Sequence, residues 1–144
     1  DAFGDDIAKR INMEDWDRKA QKKTGDLTVS RFPAYHFHLS TRDMARIGYL
    51  MLRNGKWEGK QVISEDWIKK TTSVVSTYEE VKNNDRFSYG YMWWLFDESA
   101  PMYQPQYKGA YIARGSMGQY IAVIPELDMV VAFKTDRQYG RKTN

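Results

Sequence analysis

Gln119-Tyr120-Ile121-Ala122-Val123-Ile124 and Met129-Val130-Val131-Ala132-Phe133-Lys134, parted only by Pro125-Glu126-Leu127-Asp128, decide the fold class. Both runs are dominated by β-branched, aromatic and other apolar residues that suit a pleated surface, and the short connector reads as an antiparallel hairpin loop. Apolar residues occupy both faces of these strands, so both faces call for cover. An earlier run behaves in the same way. Read as one strand, 89–96 points Tyr89, Tyr91, Trp93 and Leu95 to one side and Met92, Trp94 and Phe96 to the other.

Upstream, Leu39-Ser40-Thr41-Arg42-Asp43-Met44 is a helix start. Ser40 can cap the first-turn amides while Asp43 reaches back, and Leu39 can staple onto Met44. The helix is predicted to run to about Arg53. Ala45, Tyr49 and Leu52 form one apolar row, Met44, Ile47 and Met51 another, and Gly55 is the left-handed residue that ends it. After a turn through Lys56 to Lys60, Ile63-Ser64-Glu65-Asp66-Trp67-Ile68 starts a second, shorter helix ending near Thr72. The opening residues read as a helix caught partway, with Asp5 and Asp6 in its first turn and Ile7 and Ile11 four apart, followed by a charged surface connection broken at Gly25. The fold class is therefore α+β, an antiparallel sheet with helices packed on it. These helices supply one covering layer and too few remain for the other. The expected organisation is a single incomplete domain over 1–144, with helix and connection in 1–38, two capped helices in 39–73 and antiparallel strands in 87–135.

Composition limits the function. The 144 residues are 42% hydrophobic, 28% charged and 15% aromatic, enough for one core. Lys and Arg total 22 against 19 Asp and Glu, and the signs interleave, which argues against a disordered tail or a basic nucleic-acid surface. There is no cysteine, hence no disulfide frame, thiolate metal site or cysteine nucleophile. No stretch approaches a membrane span, and no signal-like segment opens the sequence.

Few residues carry chemistry. His36 and His38 stand two apart and on a strand could share a metal, but no Asp, Glu or further His stands nearby in sequence, so no metal site is assigned. Carboxylates sit mostly at helix starts, where capping explains them. In Gly115-Ser116-Met117-Gly118-Gln119, glycines opening a buried strand permit either a bulge or the close backbone approach that an oxyanion hole requires. The rings of Tyr89, Tyr91, Trp93 and Trp94 read first as core, with at most one face lining a ligand cleft.

Several segments in this order resemble the carboxyl-terminal part of the serine beta-lactamase-like hydrolases, the superfamily of class C beta-lactamases, penicillin-binding proteins, related esterases and 6-aminohexanoate-oligomer hydrolases. They are Leu39 to Gly48, Asn54-Gly55-Lys56-Trp57, Val62 to Trp67, Tyr89-Gly90-Tyr91-Met92-Trp93-Trp94, and Gly118 to Pro125 with Leu127 to Val131. The resemblance implies an incomplete portion of the beta-lactamase-like (transpeptidase-like) fold and an acyl-enzyme route. There a serine of a Ser-x-x-Lys motif attacks, and the lysine and a tyrosine of Tyr-x-Asn handle the proton. Neither motif occurs in this sequence, so both are expected upstream of Asp1, on a segment of the same parent chain.

Lys23-Thr24-Gly25 matches the third signature of those enzymes literally, yet it falls in the charged connection. The resemblance places Ala113-Arg114-Gly115 at that element instead. It further implies that the Ser116 backbone amide completes the oxyanion hole, and that Arg114, Gly115, Tyr91 and Trp93 border the substrate. The implied function is cleavage of a small-molecule ester or amide without a cofactor, in a periplasmic or extracellular setting, with this chain inactive alone. A non-catalytic ligand- or partner-binding module of the same fold is the alternative.

Overall fold

The computed structural model describes residues 2–81, 86–115 and 118–135. The chain opens with a wide helical turn, Gly4–Ala8, in which the amides of Lys9 and Met13 donate five residues back to the carbonyls of Gly4 and Ala8. It buries Ala8 and Ile11 completely. The connection that follows is largely exposed, as expected, but it also contains a ribbon. Strand β1 (Lys22–Thr24) pairs antiparallel with β2 (Ala34–His36), so Lys23 and Thr24 lie on an exposed strand remote in topology from the main sheet.

Helix α1 (Thr41–Leu52) begins where its cap predicts, with Ser40 Oγ accepting from the Asp43 amide at 3.0 Å. The Asp43 side chain does not reach back to close a capping box. Its two oxygens accept instead from the Glu14 and Asp15 amides, at 3.3 and 3.1 Å, because this carboxylate is wholly buried where the opening segment crosses the helix. Nor is Tyr49 part of the inward stripe. It lies outside, edge-on to Trp57 and beneath the Arg53 guanidinium, while Leu50 takes a fully buried place. Gly55 has φ +80°, and a Cβ there would meet the Ile63 carbonyl oxygen at 2.0 Å. A two-residue-per-strand hairpin, β3 (Lys56–Trp57) and β4 (Lys60–Gln61), leads to α2 (Glu65–Thr71), capped by Ser64 Oγ accepting from the Trp67 amide.

The remaining strands form one antiparallel sheet in chain order: β5 (Ser88–Tyr89), β6 (Trp94–Leu95), β7 (Tyr111–Gly115), β8 (Gln119–Ile124) and β9 (Met129–Phe133). The hairpin expected over 119–134 is present, with Ile124 opposite Met129 and Asp128 left-handed at the turn. The single strand expected over 89–96 is not. It folds back on itself, pairing Tyr89 with Trp94 and Ser88 with Leu95, with Met92 at φ +68°. Gly90 makes this reversal possible, since a Cβ there would lie 2.4 Å from the Thr71 carbonyl oxygen.

Alternation along the strands sorts the core. Val123 and Ile121, with Val130 and Ala132 opposite, face α1 and join Met44, Met51, Ile68, Trp93, Leu95 and Tyr111. Contact is closest at Gly48, where a Cβ would meet Val130 Cγ1 at 2.4 Å. Hydrophobic burial of this kind is the main favourable term holding such a layer together. On the opposite face, Met129, Val131 and Phe133 remain 39%, 46% and 50% exposed, so the described residues cover one side of β9 and leave the other open.

Candidate functional site

The β7–β8 turn end of the sheet forms one wall of a cavity of about 370 Å³. Ala113 and Ile121 form its floor as a register pair, Gly115 and Gln119 its end, Met44 and Ile47 of α1 one side, and Trp93 with Met92 another. Phe37 and Leu39 close it from the segment leading into the helix. The sequence reading gave Leu39 a staple role there and gave Phe37 none. The available signal was Leu39 at the helix staple position, which must turn its side chain toward the same apolar space.

Glycine matters at both ends of the turn. Gly115 does not open a strand, as the sequence reading expected, but closes β7 opposite Gln119, whose Cγ would stand 2.8 Å from a Cβ there. Gly118 enters β8 with φ +81°, a backbone conformation costly for any residue with a Cβ. Ser116, to which the oxyanion amide was assigned, lies between them and outside the described residues.

The other expected site residues divide. Trp93 lines the cavity, 9% exposed and edge-on to Tyr111 at 5.1 Å. Burial pushes the Tyr111 phenol well above the ordinary tyrosine range, so it is a neutral packing group. Arg114 borders the cavity, yet its guanidinium lies over Phe87 at 5.6 Å and Trp94 at 5.5 Å, on the face of β7 opposite Ala113. Tyr91 is not a lining residue. It stacks on Trp67 at 6.5 Å while its amide donates to the Thr71 carbonyl.

His36 Nε2 is 2.6 Å from Thr24 Oγ1 on the ribbon, and the His38 amide donates to Gln21 Oε1. Among the described residues no group of three or more His, Cys, Asp or Glu is placed to hold a metal ion. No helix among them is long and apolar enough to cross a membrane. The cavity lining contains no carboxylate, imidazole or amine among the described residues. What it offers is a mostly apolar shape, with Arg114, Gln119 and Tyr120 as the polar residues of its described lining.

No family model matches the chain. It is similar, at 29% identity and a TM-score of 0.50, to the solved structure of a protein from Bacillus anthracis provisionally named a 6-aminohexanoate-dimer hydrolase, over 69% of this chain and 23% of that one. The chain has a hydrolase-like fold. It is also 27% identical over 100 residues to an uncharacterised protein of Alkalihalophilus pseudofirmus, covering 66% of this chain and 29% of that protein. It thus spans less than a third of the length of either relative.

Proposed function

We propose that this chain supplies one wall of the acyl-transfer site of a serine hydrolase of the beta-lactamase-related kind, acting on a small ester or amide. The observation that carries the reading is the convergence of the Ala113–Gly115 and Gln119 segments with Trp93, α1 and Phe37 on one apolar cavity. The likeness to a protein named as a hydrolase supports it. In the proposed reaction a serine hydroxyl from another part of the longer protein loses its proton to a base and attacks the carbonyl carbon. The oxyanion so formed takes a hydrogen bond from the Ser116 amide, and its collapse, with the base returning its proton to the leaving atom, expels the alcohol or amine and leaves an acyl-enzyme that water then cleaves. The cavity described above receives the apolar acyl portion, excluding water from it.

The test is labelling by a fluorophosphonate, which phosphonylates an activated serine hydroxyl with loss of fluoride. The longer parent protein is expected to be labelled and this 144-residue chain is not. Labelling of the chain by itself contradicts the proposal. A parent that resists labelling and carries no Ser-x-x-Lys overturns it in favour of a binding module.

A further inference from the structure

Met92 stands in a conformation that its own side chain disfavours. Its φ is +68°, in the left-handed region where a Cβ costs energy and glycine rests freely. Both neighbours are fixed. The Tyr91 amide donates to the Thr71 carbonyl at 3.0 Å and its ring stacks on Trp67, while Trp93 is buried and edge-on to Tyr111. The reversal that pairs Tyr89 with Trp94 thus imposes the angle on residue 92. The fold gains little from this side chain in return. Met92 is 79% exposed, and its sulfur takes a weak contact from the Tyr89 hydroxyl at 3.9 Å.

What Met92 does border is the first cavity. Among the large apolar residues of its described lining, Met92 and Phe37 are the two left exposed. A second cavity is smaller, about 200 Å³, and has Asp97, Glu98 and Lys108 in its lining. The first is mostly apolar and about 370 Å³, more than twice the roughly 150 Å³ that holds benzene. Backbone strain held beside a cavity is an outlier from which a functional role is argued. We infer that Met92 is the specificity-determining wall of the first cavity, an adaptable thioether that folds over apolar acyl groups larger than acetyl. Methionine suits the task because its unbranched, polarizable chain fills irregular space and adjusts to ligands of different shape. Its role toward an acyl group rests on the acyl-transfer reading, whereas its contact with an apolar ligand does not.

The experiment follows carbon-13 methionine methyl signals of the chain by NMR as hexanamide and, separately, acetamide are added. Hexanamide is expected to shift the Met92 and Met44 signals together and saturably, since both residues line the cavity, and to leave those of Met102 and Met129 in place. Acetamide is expected to move none of them. Met92→Gly is expected to weaken hexanamide binding about fivefold, read at Met44, while raising Tm by about 2 °C as the left-handed strain is relieved. Met92→Leu keeps an apolar side chain and is expected to hold the affinity within about twofold. A Met92 signal that stays in place while Met44 moves overturns the inference, as does an affinity unchanged in Met92→Gly. A lower Tm in that variant, or no saturable shift at any methionine, overturns it too. A parent that resists the fluorophosphonate while the Met92 response persists removes the acyl-transfer reading alone. A labelled parent with no Met92 response removes the wall alone.

Discussion

Asp43 and Arg46 lie one helical turn apart on α1, their charged groups 3.2 Å apart, with the carboxylate wholly buried and the guanidinium side chain 17% exposed. The same arginine reaches Glu14 at 2.5 Å, and Glu14 also takes Arg42 at 2.6 Å. With the two backbone amides that Asp43 accepts, these contacts pin the opening segment to the helix. Replacing Asp43 with Ala leaves two amides without their acceptor and Arg46 with Glu14 alone. We expect a loss of about 2–4 kcal/mol, read as a lower midpoint in urea denaturation. Asp43→Asn should be milder, since it keeps one acceptor.

Gly48 supplies a second test. With Val130 Cγ1 only 2.4 Å and Ile121 Cγ2 2.9 Å from a Cβ, Gly48→Val must push α1 off the sheet, at a cost of about 1–3 kcal/mol. Val130→Ala in the same chain should recover part of that loss. Additive single effects in a double-mutant cycle would show that the helix does not rest on Val130 here.

Acid should loosen the same junction. Hydrogen bonding from Arg42, with the charge and bonding of Arg46, holds the Glu14 carboxyl below its ordinary 4.5, and a hydrogen bond from Lys9 draws Asp5 down to about 2. A carboxyl more acidic in the folded chain stabilises the fold above its unfolded value, and this contribution is lost as pH falls through the folded one. Both carboxylates are exposed, so salt should shrink the effect. Denaturation midpoints are expected to hold near neutrality and fall below pH about 4.5, with Glu14→Gln showing a shallower fall.

The turn that ends the first cavity should resist any Cβ. Gly118→Ala places a side chain at φ +81° and is expected to cost about 1–2 kcal/mol, seen as a lower Tm, whereas Ala at the exposed Gly59, also at positive φ, meets no atom within 4 Å and pays only the backbone term. A larger cost at Gly118 than at Gly59 would come from its approach to Thr135, 3.3 Å from a Cβ.

On the proposed acyl-transfer reading, Ala113→Phe in the longer protein fills the floor of the first cavity. KM for long-chain esters is expected to rise more than for acetyl esters. Equal changes for both would remove the cavity from the acyl group's path.

Local chemistry explains which of these features the amino acids disclosed. Ser40 and Ser64 mark their helices because a hydroxyl cap works within four residues, and the 119–134 hairpin is visible because its connector is short. The reversal at 90–93 was hidden by period-two aromatics on both sides, although Gly90 stood in plain sight. What demanded Gly90 was the Thr71 carbonyl, nineteen positions away in sequence. Asp43 was misassigned for the same reason: its partners at Glu14 and Asp15 are distant in sequence. The site divides likewise. Gly115 and Trp93 were legible as residue types with steric meaning, whereas Phe37 acquires its place only when the opening segment is laid over α1.

Strand β9 ends the described sheet, and its outward residues Met129, Val131 and Phe133 are all apolar. An unpaired backbone edge beside a greasy face is a template on which further strands can stack. Purified at high concentration, the chain should self-associate into β-rich aggregates, and a lysine at Val131 would act as a gatekeeper that keeps it dispersed.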